Sequence, residues 1–137
     1  MKTHPYLRAY MAGAAAPTVL VLVAFAVFLT VRPVNGTDFP AEKVMVFPLA
    51  VVPALWGLWN MLWVALHTRA RWPLGLHGAI VPAFAVPLGF AAAQWNGVQF
   101  PVSVAQAILI IAPLLMIIYY LVWKFVVGFL NGLLGIG

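Results

Sequence analysis

Residues Val44 to Leu66 read VMVFPLAVVPALWGLWNMLWVAL, 23 positions without a charge. At ~1.5 Å per residue a helix of this length rises ~35 Å, enough to cross the ~30 Å hydrocarbon layer of a bilayer with some tilt. The stretch therefore predicts a membrane-spanning helix. Projected at ~100° per residue, Leu49, Val52, Trp56, Asn60, Trp63 and His67 share one face, while Gly57, Met61 and Val64 fall elsewhere. An amide such as Asn60 is poorly solvated in lipid. Its face is expected to turn toward other helices and the blander face toward acyl chains.

The rest of the chain has the same character. Hydrophobic residues make up 66% and charged residues 7%, with a mean hydropathy of +1.08, against the roughly one-quarter charged residues of soluble domains. The 137 residues hold four apolar stretches, at about 9–31, 44–66, 76–93 and 103–127, and leave no room for a separate soluble domain. The fold expected is all-α: a single transmembrane domain of four helices in an up-and-down bundle. Cysteine is absent, which excludes disulfides and thiolate metal sites within the chain. The net charge of +5 rests on seven Lys and Arg against Asp38 and Glu42. No basic cluster is dense enough to suggest nucleic acid, so the expected charged partner is the anionic headgroup layer at the cytoplasmic face.

Working outward from the second stretch, Lys2 and Arg8 precede the first, and Tyr6 and Tyr10 sit at its start, where amphipathic rings suit the headgroup level. Ala9, Gly13 and Ala16 give it a small-residue side suited to close helix packing. The apolar run is longer than a signal-peptide core and lacks a convincing cleavage site, so it is expected to be retained. Arg32 to Lys43 is the most polar connection and contains both acids. It is expected to be a solvated loop, in which Asn35-Gly36-Thr37 matches the short glycosylation sequon. The basic connection follows the second stretch, with Arg69, Arg71 and Trp72 before Pro73. The third stretch carries Pro82 and Pro87, which predict kinks, with the small residues Ala85 and Gly89 allowing a neighbouring helix to approach. On the fourth, Gln106, Ile110, Pro113, Ile117, Tyr120 and Lys124 project to one face. The tail from Gly128 to Gly137 is expected to be a glycine-loosened amphipathic segment beyond the membrane depth.

No nucleophile elbow, Walker loop, HExxH or dinucleotide fingerprint occurs, and no apolar stretch contains an acid. That pattern weighs against an enzyme and against a proton-coupled exporter; no catalytic residue, metal ligand or cofactor is assigned. Two residues, His67 and His77, fall at the same membrane surface, where snorkelling or capping is the simpler account and haem or metal ligation the sharper one. Asn60 needs a partner, for which an interhelical hydrogen bond is expected. Trp56, Trp59 and Trp63 are expected to pack helices together. If the helices alternate in direction, Asn60, His67, His77, Tyr120 and Lys124 approach one depth and form a polar vestibule.

These readings suggest a multi-pass protein of the plasma (inner) membrane with both termini cytoplasmic. The function expected is that of a non-enzymatic accessory or structural subunit, self-associating or bound to a membrane-protein partner. An oligomeric small-solute channel or transporter is the main alternative, and a haem-binding redox subunit the weaker one.

Overall fold

A computed structural model of the protein describes residues 4–35, 49–97 and 102–136. The expectations for the loop acids Asp38 and Glu42, for Lys43 and for the sequon threonine lie outside the described residues. Helix α1 runs Pro5–Asn35. A 3-10 turn, Leu49–Val51, leads into α2, Val52–Ala70; α3, Leu74–Ala79, is followed by α4, Val81–Trp95. Helix α5, Val102–Leu121, continues through a π-helical turn, Val122–Val127, into α6, Gly128–Leu133. The described residues contain no strand. The stretches Pro5–Thr30, Leu49–His67, Leu74–Trp95 and Gln106–Leu133 are each long and apolar enough to cross a membrane. A bilayer favours this architecture because a helix satisfies its backbone hydrogen bonds within itself.

The tail departs from the sequence-based expectation. It continues the last helix to Leu133, and Asn131 within it is only 2% exposed. The helix stops one turn later at Gly135, whose φ of 67° is the left-handed conformation glycine adopts without strain. There the Ile136 N–H donates to the Asn131 carbonyl at 2.8 Å and the Gly135 N–H to the Gly132 carbonyl at 3.0 Å, the paired bonds of a Schellman cap. Gly128 and Gly132 weaken helix propensity without ending it, because the buried partner of Asn131 holds the segment in place.

The third apolar stretch is interrupted at Ile80. Pro82 falls in the first turn of α4, where its missing amide donor costs nothing, and the Ala83 N–H closes a tighter turn onto the Ile80 carbonyl at 3.0 Å. Pro87 stays inside α4.

The packed core lies at one end of the bundle, here called the basal end, which carries the start of α1, the α2–α3 link and the end of α6. Trp56, Val81, Trp123 and Val127 form its centre, with Ala85, Trp59 and Tyr119 packed around them. Helices α1 and α2 are antiparallel and meet at glycine. A Cβ on Gly13 would stand 2.5 Å from the Trp56 carbonyl oxygen, and one on Gly57 would stand 2.6 Å from the Tyr10 ring. The Gly57 flank of α2 is therefore covered by α1, whereas the sequence reading turned it toward lipid. With no aqueous drive to associate, helices in lipid gain from close van der Waals contact, and two glycines permit it. The exposed stripe of α2 is instead Leu55, Leu58, Leu62 and Leu66.

Away from the basal end the helices separate. From Val19 to Leu29 the large side chains of α1 that stand exposed include Leu22, Val23 and Phe25. A groove of about 660 Å³ runs between the start of α2 and α4, bordered by Leu55, Leu88, Trp95 and Tyr119. Gly89 lies on this groove, and no atom of the described residues comes within 4 Å of where its Cβ would stand. Among the described residues no helix makes the close approach expected at Gly89.

Candidate functional site

Asn60 is 0% exposed. Its Nδ2 donates to the Ala9 carbonyl at 2.8 Å and to Asn131 Oδ1 at 2.8 Å, while Asn131 Nδ2 donates back to Asn60 Oδ1 at 3.2 Å. One amide thus joins three helices: α1 through its backbone, α2 through Asn60 and α6 through Asn131. In a low-dielectric interior each of these bonds is stronger than in water, and losing one leaves a costly unpaired group.

The π-helical turn makes this meeting possible. Trp123, Val127 and Asn131 recur every four residues and are all buried. In a regular α-helix each four-residue step overshoots a full turn by ~40°, so the face would drift steadily away. The wider π turn, closing bonds from i to i+5, takes back much of that rotation and keeps these side chains turned inward. Trp123 contacts Trp56 at 5.4 Å between ring centroids and His77 edge-on at 6.1 Å. Its ring lies where a Cβ on Gly78 would fall, so glycine is required there. The indole N–H of Trp123 is buried without an acceptor among the described residues.

Beside this core, α2 and α3 exchange side chain and backbone. Trp59 Nε1 donates to the His77 carbonyl at 3.0 Å, and His77 Nε2 lies 3.1 Å from the Trp59 carbonyl. A carbonyl only accepts, so the proton of His77 sits on Nε2. The two rings stack at 4.9 Å. One turn further, Trp63 Nε1 donates to the Trp72 carbonyl at 3.1 Å and the Trp63 ring meets His67 at 4.6 Å. Arg71 caps α2 in the left-handed conformation, φ 48°, with its N–H on the His67 carbonyl. Together these contacts shape a cavity of about 300 Å³ whose walls include Trp59, Trp63, Trp72, His67 and His77.

The residues proposed for a polar vestibule are thus distributed over separate surroundings. His67 and His77 border the same cavity. Asn60 is enclosed with Asn131 and Ala9, and Tyr120 lies against Gly75. Lys124 is exposed, its ammonium 5.7 Å from the Tyr120 ring centroid and 5.3 Å from that of Phe125. Among the described residues no three His, Asp or Glu side chains converge on a possible metal position. Joint ligation of a haem iron or metal by the Nε2 atoms of His67 and His77 requires His77 to give up its bond to Trp59. Sequence reasoning missed Asn131, Trp72 and Trp123. Four-residue spacing of Trp123, Val127 and Asn131 was the available signal for two of them, weakened because a 3.6-residue projection spreads those positions over ~80°. No protein-family model, curated protein or solved structure matches the chain.

Proposed function

We propose that the protein is a multi-pass component of the plasma (inner) membrane, with helices alternating up and down and both termini cytoplasmic. Its function is that of a non-enzymatic accessory or structural subunit, acting through helix packing with a second copy or a membrane-protein partner. One observation carries this reading: Asn60, Asn131, Trp59, Trp63 and His77 each spend a side-chain hydrogen-bonding group on another segment of the same chain. Polar groups within a membrane that move protons or solutes must be able to exchange partners. Here they are committed to joining helices.

The same reading accounts for the uneven packing. A bundle closed at the basal end and open at the other presents an apolar groove of about 660 Å³ and long unpaired faces on α1 and α5. Such faces suit lipid or another transmembrane helix, and the subunit role takes the second occupant for part of them. Native mass spectrometry from mild detergent tests the proposal. The expected result is a dimer or higher oligomer, or a complex with a second membrane protein. A strictly monomeric, partner-free species with full thermal stability refutes it.

A further inference from the structure

We infer that the cavity between the end of α2 and the start of α3 is a binding site for one anionic phospholipid of the surrounding bilayer. This inference stands apart from the subunit proposal, since a lone protomer contains the whole cavity.

Its position matches such a molecule. The apolar stretches on either side end at His67 and begin at Leu74, so on the multi-pass reading proposed above the cavity mouth falls at headgroup level. Leu62 lies five residues inside one stretch and Ile80 six residues inside the other, or ~7–9 Å toward the acyl region. A ligand filling the cavity thus needs a polar end and a hydrocarbon body. At about 300 Å³ the space is at the small end for ligand pockets and suits part of one lipid, not a large solute.

The walls are preformed. Trp63 is tied to the Trp72 backbone at 3.1 Å and Trp59 to the His77 backbone at 3.0 Å, so the indole faces are held before any ligand arrives. Little ordering cost remains for binding.

Charge selects the headgroup. Arg69, in the last turn of α2, and Arg71, its C-cap, stand exposed in the chain between the lining residues His67 and Trp72. The two acids of the chain, Asp38 and Glu42, belong to the α1–α2 connection, a full α2 length away in sequence. The described residues include no Asp or Glu, so an isolated ammonium beside this cavity would find two basic residues next to its walls and no described carboxylate side chain. A lipid with net negative charge gains from both, each basic residue near the membrane surface contributing about fivefold in affinity.

The test is native mass spectrometry of the protein released from nanodiscs made of equal phosphatidylglycerol and phosphatidylcholine, with thermal unfolding recorded for every variant. The expected result is selective retention of one phosphatidylglycerol. The double variant Arg69→Gln/Arg71→Gln should lower that retention about tenfold or more. Trp72→Ala, at a half-exposed position, should lower it severalfold with an unchanged melting temperature. Lys124→Gln, a cation outside the cavity, should leave retention as it is, and excess inorganic phosphate should not displace the lipid. Equal retention of the two lipids overturns the proposal, as does a loss with Lys124→Gln equal to that of the double variant. Full retention in Trp72→Ala or displacement by phosphate also overturns it, since either would mean headgroup attraction without a cavity site.

Discussion

Asn60 and Asn131, 71 residues apart in the chain, exchange reciprocal side-chain hydrogen bonds of 2.8 and 3.2 Å at the buried junction of three helices. The pair makes a specific demand on mutants. Asn60→Ala removes the pair and the bond to Ala9, and should cost about 2 kcal/mol, whereas Asn131→Ala should cost about 1 kcal/mol. Because the pair is shared, the double variant should cost less than the sum, with a coupling of about 1 kcal/mol. Reversible unfolding in mixed micelles measures all three. Strict additivity would show that the two amides act independently.

The glycines should rank by what stands in front of them. Gly13→Ala drives a methyl against the Trp56 carbonyl, a backbone atom that cannot swing away, and Gly78→Ala drives one into the root of the Trp123 ring. Each should destabilise by about 1–3 kcal/mol through overpacking. At Gly75 the obstruction is the Tyr120 ring, which is half-buried and able to turn, so the loss should be smaller. Gly89→Ala meets open space and should be neutral or stabilising by up to about 1 kcal/mol from helix propensity. Melting temperatures of the four variants give the order, and a Gly89→Ala as damaging as Gly78→Ala would contradict the packing described.

Trp123 carries a fully buried indole whose N–H has no acceptor among the described residues. Trp123→Phe loses some packing but also removes the unsatisfied donor, and these changes oppose each other. The variant should lie within about 1 kcal/mol of the parent, while Trp123→Ala should lose about 3–5 kcal/mol. A phenylalanine variant as unstable as the alanine variant would show that the indole N–H is bonded after all.

Orientation follows from the distribution of cations. Arg8, Arg69, Arg71 and Lys124 belong to the basal half of the proposed bundle, Lys2 precedes it in sequence, and Arg32 and Lys43 bound the opposite connection in sequence, so under the proposed topology the positive-inside rule predicts a cytoplasmic basal end. The chain has no cysteine of its own. In intact cells an impermeant thiol reagent should label Thr37→Cys and spare Thr68→Cys; the reverse pattern would invert the topology.

The sequence by itself determined the four helices and their span-like character. A long apolar run without charges needs only its own backbone to satisfy its hydrogen bonds in lipid, so hydropathy and length suffice. It also marked Asn60 as a residue in need of a partner and Gly13 as a place of close approach. Only the tertiary structure decided who the partners are. Asn131 looked like part of a tail because its glycine neighbours weaken helix propensity locally, and its role depends on a contact 71 residues away. The π-helical turn resets the face of the last helix, which a uniform 3.6-residue projection cannot anticipate. His77 pairs with Trp59, and Gly78 beside it leaves room for the Trp123 ring, fits of shape that exist only once the helices are side by side.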